Sequence, residues 1–163
     1  MNRPPFIVNA AELPEDDGTY PGSDERLSFC RSLGGAAGLS RLGVHLERIP
    51  PGRRTSFPHA HEDEEEFVYV LAGTPHLWAD GVLHALSPGD FVAFPAGTGI
   101  AHTLLNDAED EALVLVGGER SKKSSRLFYP LHPERRAELQ PEKWWDDVPT
   151  REIGPHDGKP RRR

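Results

Sequence analysis

Short β-prone runs, each cut off by a turn signal, recur along most of this chain and constrain its fold more than any other feature. Residues 67–71 (Phe-Val-Tyr-Val-Leu) are β-branched and aromatic and close at Gly73. Residues 76–79 and 82–86 flank Asp80-Gly81, the strongest short hairpin signal. Ser87-Pro88-Gly89-Asp90 turns the chain again, residues 91–94 and 102–105 read as short strands, and the apolar run 112–116 stops at Gly117-Gly118. Turn signals spaced about eight to twelve residues apart predict an all-β sandwich or barrel. A helical reading fails, because no apolar pattern of the helical period lasts beyond about two turns.

The β-rich pattern divides the chain. Residues 1–26 are rich in Pro, Asp, Glu and Gly and read as an extended arm, residues 27–120 as the barrel, and residues 121–163 as a tail packed on the barrel or on a partner subunit. Before the first turn, a strand-like run from Leu27 is broken at residues 34–38 and resumes over residues 39–49. The tail is expected to be mostly irregular, with one short helix over residues 133–139 and an apolar patch at Trp144-Trp145. Its end, from Gly158 through the basic tip Arg161-Arg162-Arg163, reads as loose.

A chain of 163 residues is one domain by length and can bury a core without staples. Its formal charge of −7 argues against nucleic acid as a partner, since phosphate binding needs a basic face. One cysteine, Cys30, excludes a disulfide framework and fits a reducing compartment. No apolar run approaches the roughly 18 residues of a membrane span, and no signal peptide is visible at the N-terminus. A cytoplasmic protein without membrane partners is the expectation.

Within the β-rich region, two segments concentrate metal-ligating side chains: His59-x-His61-x4-Glu66, and later His102-x3-Asn106. Residues i and i+2 of a strand point to one face, so His59 and His61 project together. Glu66 lies an odd step beyond His61 and would face the other way on a flat strand. It can join the pair only if residues 62–65 bend; Val68 and Val70 then face inward with it, and Phe67, Tyr69 and Leu71 outward. His102 must come from a separate strand. Asn106 reads as a turn residue bonding backbone, and Glu65 stands as the alternative to Glu66. Three imidazoles and one carboxylate suit a single Fe, Mn, Ni, Co or Zn ion.

These two segments, with their glycine and proline frame, resemble the two signature motifs of the cupin superfamily. The first half runs from Gly52 through His59, His61 and Glu66 to Gly73; the second runs from Gly89 through Pro95, Gly97 and His102 to Asn106. Two departures exist. Six residues rather than five separate Gly52 from His59, and two residues are inserted between Pro95 and His102. The resemblance implies a double-stranded β-helix (a jelly-roll or cupin barrel), one divalent metal ion per subunit held by His59, His61, Glu66 and His102, and a homodimer. The six residues between Glu66 and Gly73 match the motif frame and favour Glu66 over Glu65. The stretch from Phe94 to His102, with residues 116–120, resembles small bacterial cupins, some of them labelled sugar-phosphate isomerases.

Four protein ligands leave two adjacent positions on an octahedral ion. The expected function is metal-assisted isomerisation of a small polyoxygenated substrate, sugar or sugar-phosphate-like. Tyr69, His76 and His84 are candidate general bases by residue type. Arg48, Arg54 and Trp78 are candidate substrate-binding residues. One alternative is an Fe(II)-dependent dioxygenase with an apolar pocket of Val68, Val70, Trp78, Phe91 and Phe94. The other is a non-catalytic, metal-assisted ligand-binding module.

Overall fold

The computed structural model describes residues 3–120, 122 and 124–161; Arg162 and Arg163 of the basic tip lie outside them. The chain is a β-barrel of the double-stranded β-helix type. Its strands are β1 (Asp16–Asp17), β2 (Phe29–Ser32), β3 (Leu42–Ile49), β4 (Ala60–His61), β5 (Glu66–Ala72), β6 (His76–Ala79), β7 (Val82–Ala85), β8 (Phe91–Phe94), β9 (His102–Leu105), β10 (Ala112–Glu119) and β11 (Leu127–Phe128). Two single-turn helices, α1 (Leu33–Ala36) and α2 (Arg135–Glu138), interrupt the pattern. A six-stranded sheet has the order β1-β2-β3-β10-β5-β8, a three-stranded sheet the order β7-β6-β9, and β11 pairs with β4. Among the described residues no helix is long and apolar enough to cross a membrane.

Strand alternation decides what lies between the sheets. On β5, Val68 and Val70 are buried while Tyr69 and Leu71 are exposed. Ile49, Val114 and Phe94 add to them from the large sheet, Leu77 and Leu104 from the small one, and together they form the main core. Burying each such side chain contributes about 1.5–3 kcal/mol. The hairpin at Asp80-Gly81 forms as predicted: both residues have positive φ (45° and 84°), and Ala79 pairs with Val82 across the turn.

Both ends of the chain are more structured than their compositions suggest. The N-terminal arm adds the edge strand β1, with Asp16 opposite Cys30. The tail supplies α2 within the expected range, but it also supplies β11, whose Leu127 lies opposite His61. Trp145 docks on the outer face of the small sheet, in a second core with Ala60, Trp78, Ala101 and Leu105. Gly158 is buried rather than loose, and its carbonyl accepts a 2.8 Å hydrogen bond from Arg54.

Candidate metal centre

The bend at residues 62–65 that the odd step demanded is present. Arg126 binds Glu62 through its guanidinium, and the backbone N–H of Glu62 donates to the Arg126 carbonyl at 3.0 Å. Glu64 turns toward His61 (Oε2 to Nδ1 3.3 Å), a separation at which His61 Nδ1 still lacks hydrogen-bond geometry. The chain re-enters the sheet at Glu66, which faces inward with Val68.

Four side chains from three segments then converge. His59 Nε2 lies 3.1 Å from His61 Nε2; Glu66 Oε2 lies 3.4 Å from His61 Nε2 and 3.3 Å from His102 Nε2. Ligand atoms of His59, His61 and Glu66 all fall within 4.8 Å of one another, and His102 adjoins them through Glu66. His59 and His102 hydrogen-bond the carbonyls of Phe57 and Ile100 through Nδ1, at 2.8 and 3.0 Å. A ring that donates Nδ1–H to a carbonyl turns an unprotonated Nε2 toward the centre, the arrangement a metal ligand requires. Phe94 stacks on His102 at 3.5 Å, and Tyr129, from the tail, stacks on His59 at 5.5 Å. The donor set therefore fits a divalent transition ion.

Electrostatics agree with that fit. Burial, and then the charges of His61 and His102, push His59 down to about 3. Burial also acts to lower His61, but the carboxylates of Glu64 and Glu66 outweigh it and raise His61 to about 9. Burial acts to raise Glu66, and the bonds from His102 and His61 overcome it, holding the carboxyl well below its usual range. An ionised carboxylate held among these imidazoles is what the protein supplies where a cation would sit.

None of the other candidates reaches this centre. Tyr69 is exposed on the outer face of β5, because Val68 and Val70 take the inner one. His84 is exposed on the edge strand β7. His76 shares its face of β6 with Trp78, on the side away from the cavity. Trp78 is fully buried in the second core, where its indole N–H donates to the His156 carbonyl at 2.8 Å. Arg48 points outward from β3, stacks on Phe29 and pairs with Glu15 and Glu111. Arg54 is buried, but its guanidinium is committed to Glu25 (2.7 Å, twice) and to the Gly158 carbonyl. Of the five proposed apolar wall residues, Val68 and Phe94 line the inner cavity, Val70 packs in the core, Phe91 is exposed, and Trp78 lies elsewhere. Asn106 is the expected turn residue: its amide N–H groups donate to the Ile49 and Asp110 carbonyls, and its Oδ1 accepts from the Ala108 N–H.

Among the cavities that reach these four residues, two share His59 and Glu66. One, of about 220 Å³, opens at the mouth between Gly43, His45, His61, Glu64 and Gly118. A smaller one, of about 80 Å³, lies deeper between Glu47, Ser56, Val68, Phe94 and Leu104. His59 and Glu66 line both. His45 and Glu47 were not singled out from the sequence. Their signal was there: His45, Glu47 and Ile49 alternate along one strand, so polar side chains share the inward face with a core isoleucine. Burial raises Glu47 to about 7, against the opposing 2.6 Å hydrogen bond from Ser28 Oγ.

Comparison with known proteins completes this picture. The profile of the Cupin domain family matches residues 45–117. A solved structure described as a sugar phosphate isomerase from a cupin superfamily, from Silicibacter pomeroyi, is 33% identical and covers 76% of this chain and 80% of its own, with a TM-score of 0.69. The chain belongs to the cupin superfamily. A protein from Acidithiobacillus ferrooxidans, whose sugar phosphate isomerase name is provisional, is 32% identical over 77% of this cupin and 81% of its own chain (TM-score 0.71). The polyketide cyclase RemF from Streptomyces resistomycificus shares the fold at 22% identity, covering 88% of this cupin and 96% of its own chain (TM-score 0.63). Comparison with curated proteins finds no match.

Proposed function

We propose that this cupin is a metal-dependent enzyme that isomerises a small polyoxygenated substrate, a sugar or a sugar phosphate. One observation carries the reading: a polar cavity of about 220 Å³, large enough for a few heavy atoms of substrate, opens directly onto His59, His61 and Glu66. The two relatives above 30% identity that carry sugar phosphate isomerase names support the substrate class. A divalent ion held by His59, His61, Glu66 and His102 would supply Lewis acidity toward a carbonyl and its neighbouring hydroxyl. The protein's own part is to hold the imidazoles in one tautomer, to keep Glu66 ionised, and to wall the inner side with Val68 and Phe94. Glu47, lining the inner cavity and hydrogen-bonded by Ser28, is the carboxyl best sited to accept or return a substrate proton. Arg48 and Arg54 are engaged elsewhere. Arg120, whose charge acts on His45, forms no ion pair among the described residues and is a cation that a phosphate at the mouth could meet.

The dioxygenase reading loses support because two of its wall residues, Trp78 and Phe91, face away from the cavity. The homodimer remains part of the proposal: Leu42, Tyr69, Leu71 and Phe91 are exposed on the outer face of the large sheet, an apolar surface a second copy would cover. Sedimentation at equilibrium reads that directly. For the reaction, the metal-loaded protein is incubated in deuterium oxide with aldose and ketose phosphates and their unphosphorylated forms. Deuterium entering the carbon beside the carbonyl without oxygen uptake is the expected result. Oxygen consumption, or binding without exchange, would overturn the isomerase in favour of the dioxygenase or the binding module respectively.

A further inference from the structure

We infer that His45, oriented by the thiol of Cys30, is a ligand-binding residue of the metal centre that donates a hydrogen bond from Nε2 to an oxygen of a metal-chelating, enediolate-like ligand. The inference rests on the ligand-binding part of the function proposed above, not on the isomerisation itself.

Its basis is geometric. His45 sits on the inward face of β3, in register with Val116 and one row from Glu66, which shares its row with Gly118 and Gly43. Gly43 and Gly118 leave that row without side chains and keep the mouth cavity open beside Glu66. The ring of His45 leans along its strand toward this gap: a Cβ at Gly43 would come within 3.2 Å of His45 Nε2. Nε2 has no hydrogen-bond partner among the described residues, whereas Nδ1 lies 3.3 Å from Cys30 Sγ.

The placement of protons follows from the neighbours. Burial, then the carboxylates of Glu47 and Asp16, push the Cys30 thiol up to about 12, so the sulfur keeps its hydrogen and can donate it. Burial and the charge of Arg120 lower His45 against the opposing pull of Glu66, so its imidazole is neutral and carries one N–H. When Nδ1 accepts the S–H, that N–H resides on Nε2 and faces the mouth. The groups around the ring are then Cys30 and Ser32 from β2, Val116 and Arg120 from β10 and its end, Glu66 from β5, and Gly43 and Glu47 on its own strand. A neutral imidazole donor beside a cation site stabilises an oxyanion without adding a second proton acceptor.

The test uses the Zn(II)-loaded full chain and glycolohydroxamate, a bidentate mimic of an enediolate, with affinity read by calorimetry and zinc content by elemental analysis. H45A is expected to keep one zinc per chain and to bind the hydroxamate at least tenfold more weakly. H45Q, which places an amide N–H at similar reach, recovers most of the affinity. C30S, whose hydroxyl can still donate to Nδ1, matches wild type, and C30A weakens binding several-fold. Equal affinity for H45A and wild type, or no hydroxamate binding by zinc-loaded wild type, overturns the inference. The two readings separate cleanly. Binding that depends on His45 in a protein that exchanges no sugar C–H keeps the inference and removes the isomerase. C–H exchange in wild type together with unchanged hydroxamate affinity in H45A keeps the isomerase and removes the inference.

Discussion

The two faces of the small sheet serve different ends, although the same strands build both. On β9, His102 and Leu104 point into the barrel, to the ligand cluster and the main core. Thr103 and Leu105 point outward, and all four are buried. Outward, Leu105 joins Trp78 from β6 and Trp145 from the tail in a dry packing core. Inward, the polar groups are buried with one another and open to a cavity. Burial alone therefore does not mark a site here. What marks it is burial of convergent polar atoms that have no partner except each other.

That comparison makes predictions in both directions. The largest expected effect is on metal: H59A or H102A in untagged protein should remove stoichiometric metal, at least a hundredfold in affinity, while leaving the cooperative unfolding transition in place; unchanged metal content would end the distinction between the faces. On the outer face, Trp78→Ala should cost about 4 kcal/mol in urea denaturation, with the metal still bound by the folded fraction. Glu25→Ala strands the buried guanidinium of Arg54 where the arm and the tail meet, and should cost about 3 kcal/mol without altering metal content. Glu64→Gln removes the carboxylate behind His61 and should weaken metal binding by about tenfold, seen in competition with a chelator.

The smallest effect sharpens the inner face. Glu47 is raised from 4.5 to about 7 in the folded chain, so the folded state holds a proton that the unfolded state releases first. Its contribution is thus full below about pH 4.5 and is lost as pH rises to about 7. Urea midpoints of metal-free protein at pH 5 and pH 7.5 should differ less in Glu47→Gln than in wild type; an unchanged difference would move Glu47 out of the inner cavity's electrostatics.

Much of this was legible. Gly and Pro punctuation placed the strands, Asp80-Gly81 named its hairpin, and the odd step from His61 to Glu66 required a bend that the structure contains. Of the apolar Trp144-Trp145 pair, Trp145 lies in the second core and Trp144 packs with Phe57 and Tyr129. The errors share one cause. Tyr69, His76, His84, Arg48, Arg54 and Trp78 were chosen by residue type near the motifs, and a residue type does not say which sheet face or which counter-charge it meets. His76 and Trp78 went to the outer face because Leu77 went inward; Arg48 went to Glu15, and Arg54 to Glu25, acidic residues of an arm that reads as extended rather than packed.

The sequence by itself determined the β architecture and named the candidate quartet His59, His61, Glu66 and His102, because strand period, turn chemistry and donor type are local properties. Only the tertiary structure decided that the tail would cover one sheet face, that β11 would pair with the strand of His61, and that His45 and Glu47 would share the ligands' cavity. Those depend on which distant segments compete to bury the same surface, a question that strand spacing does not encode.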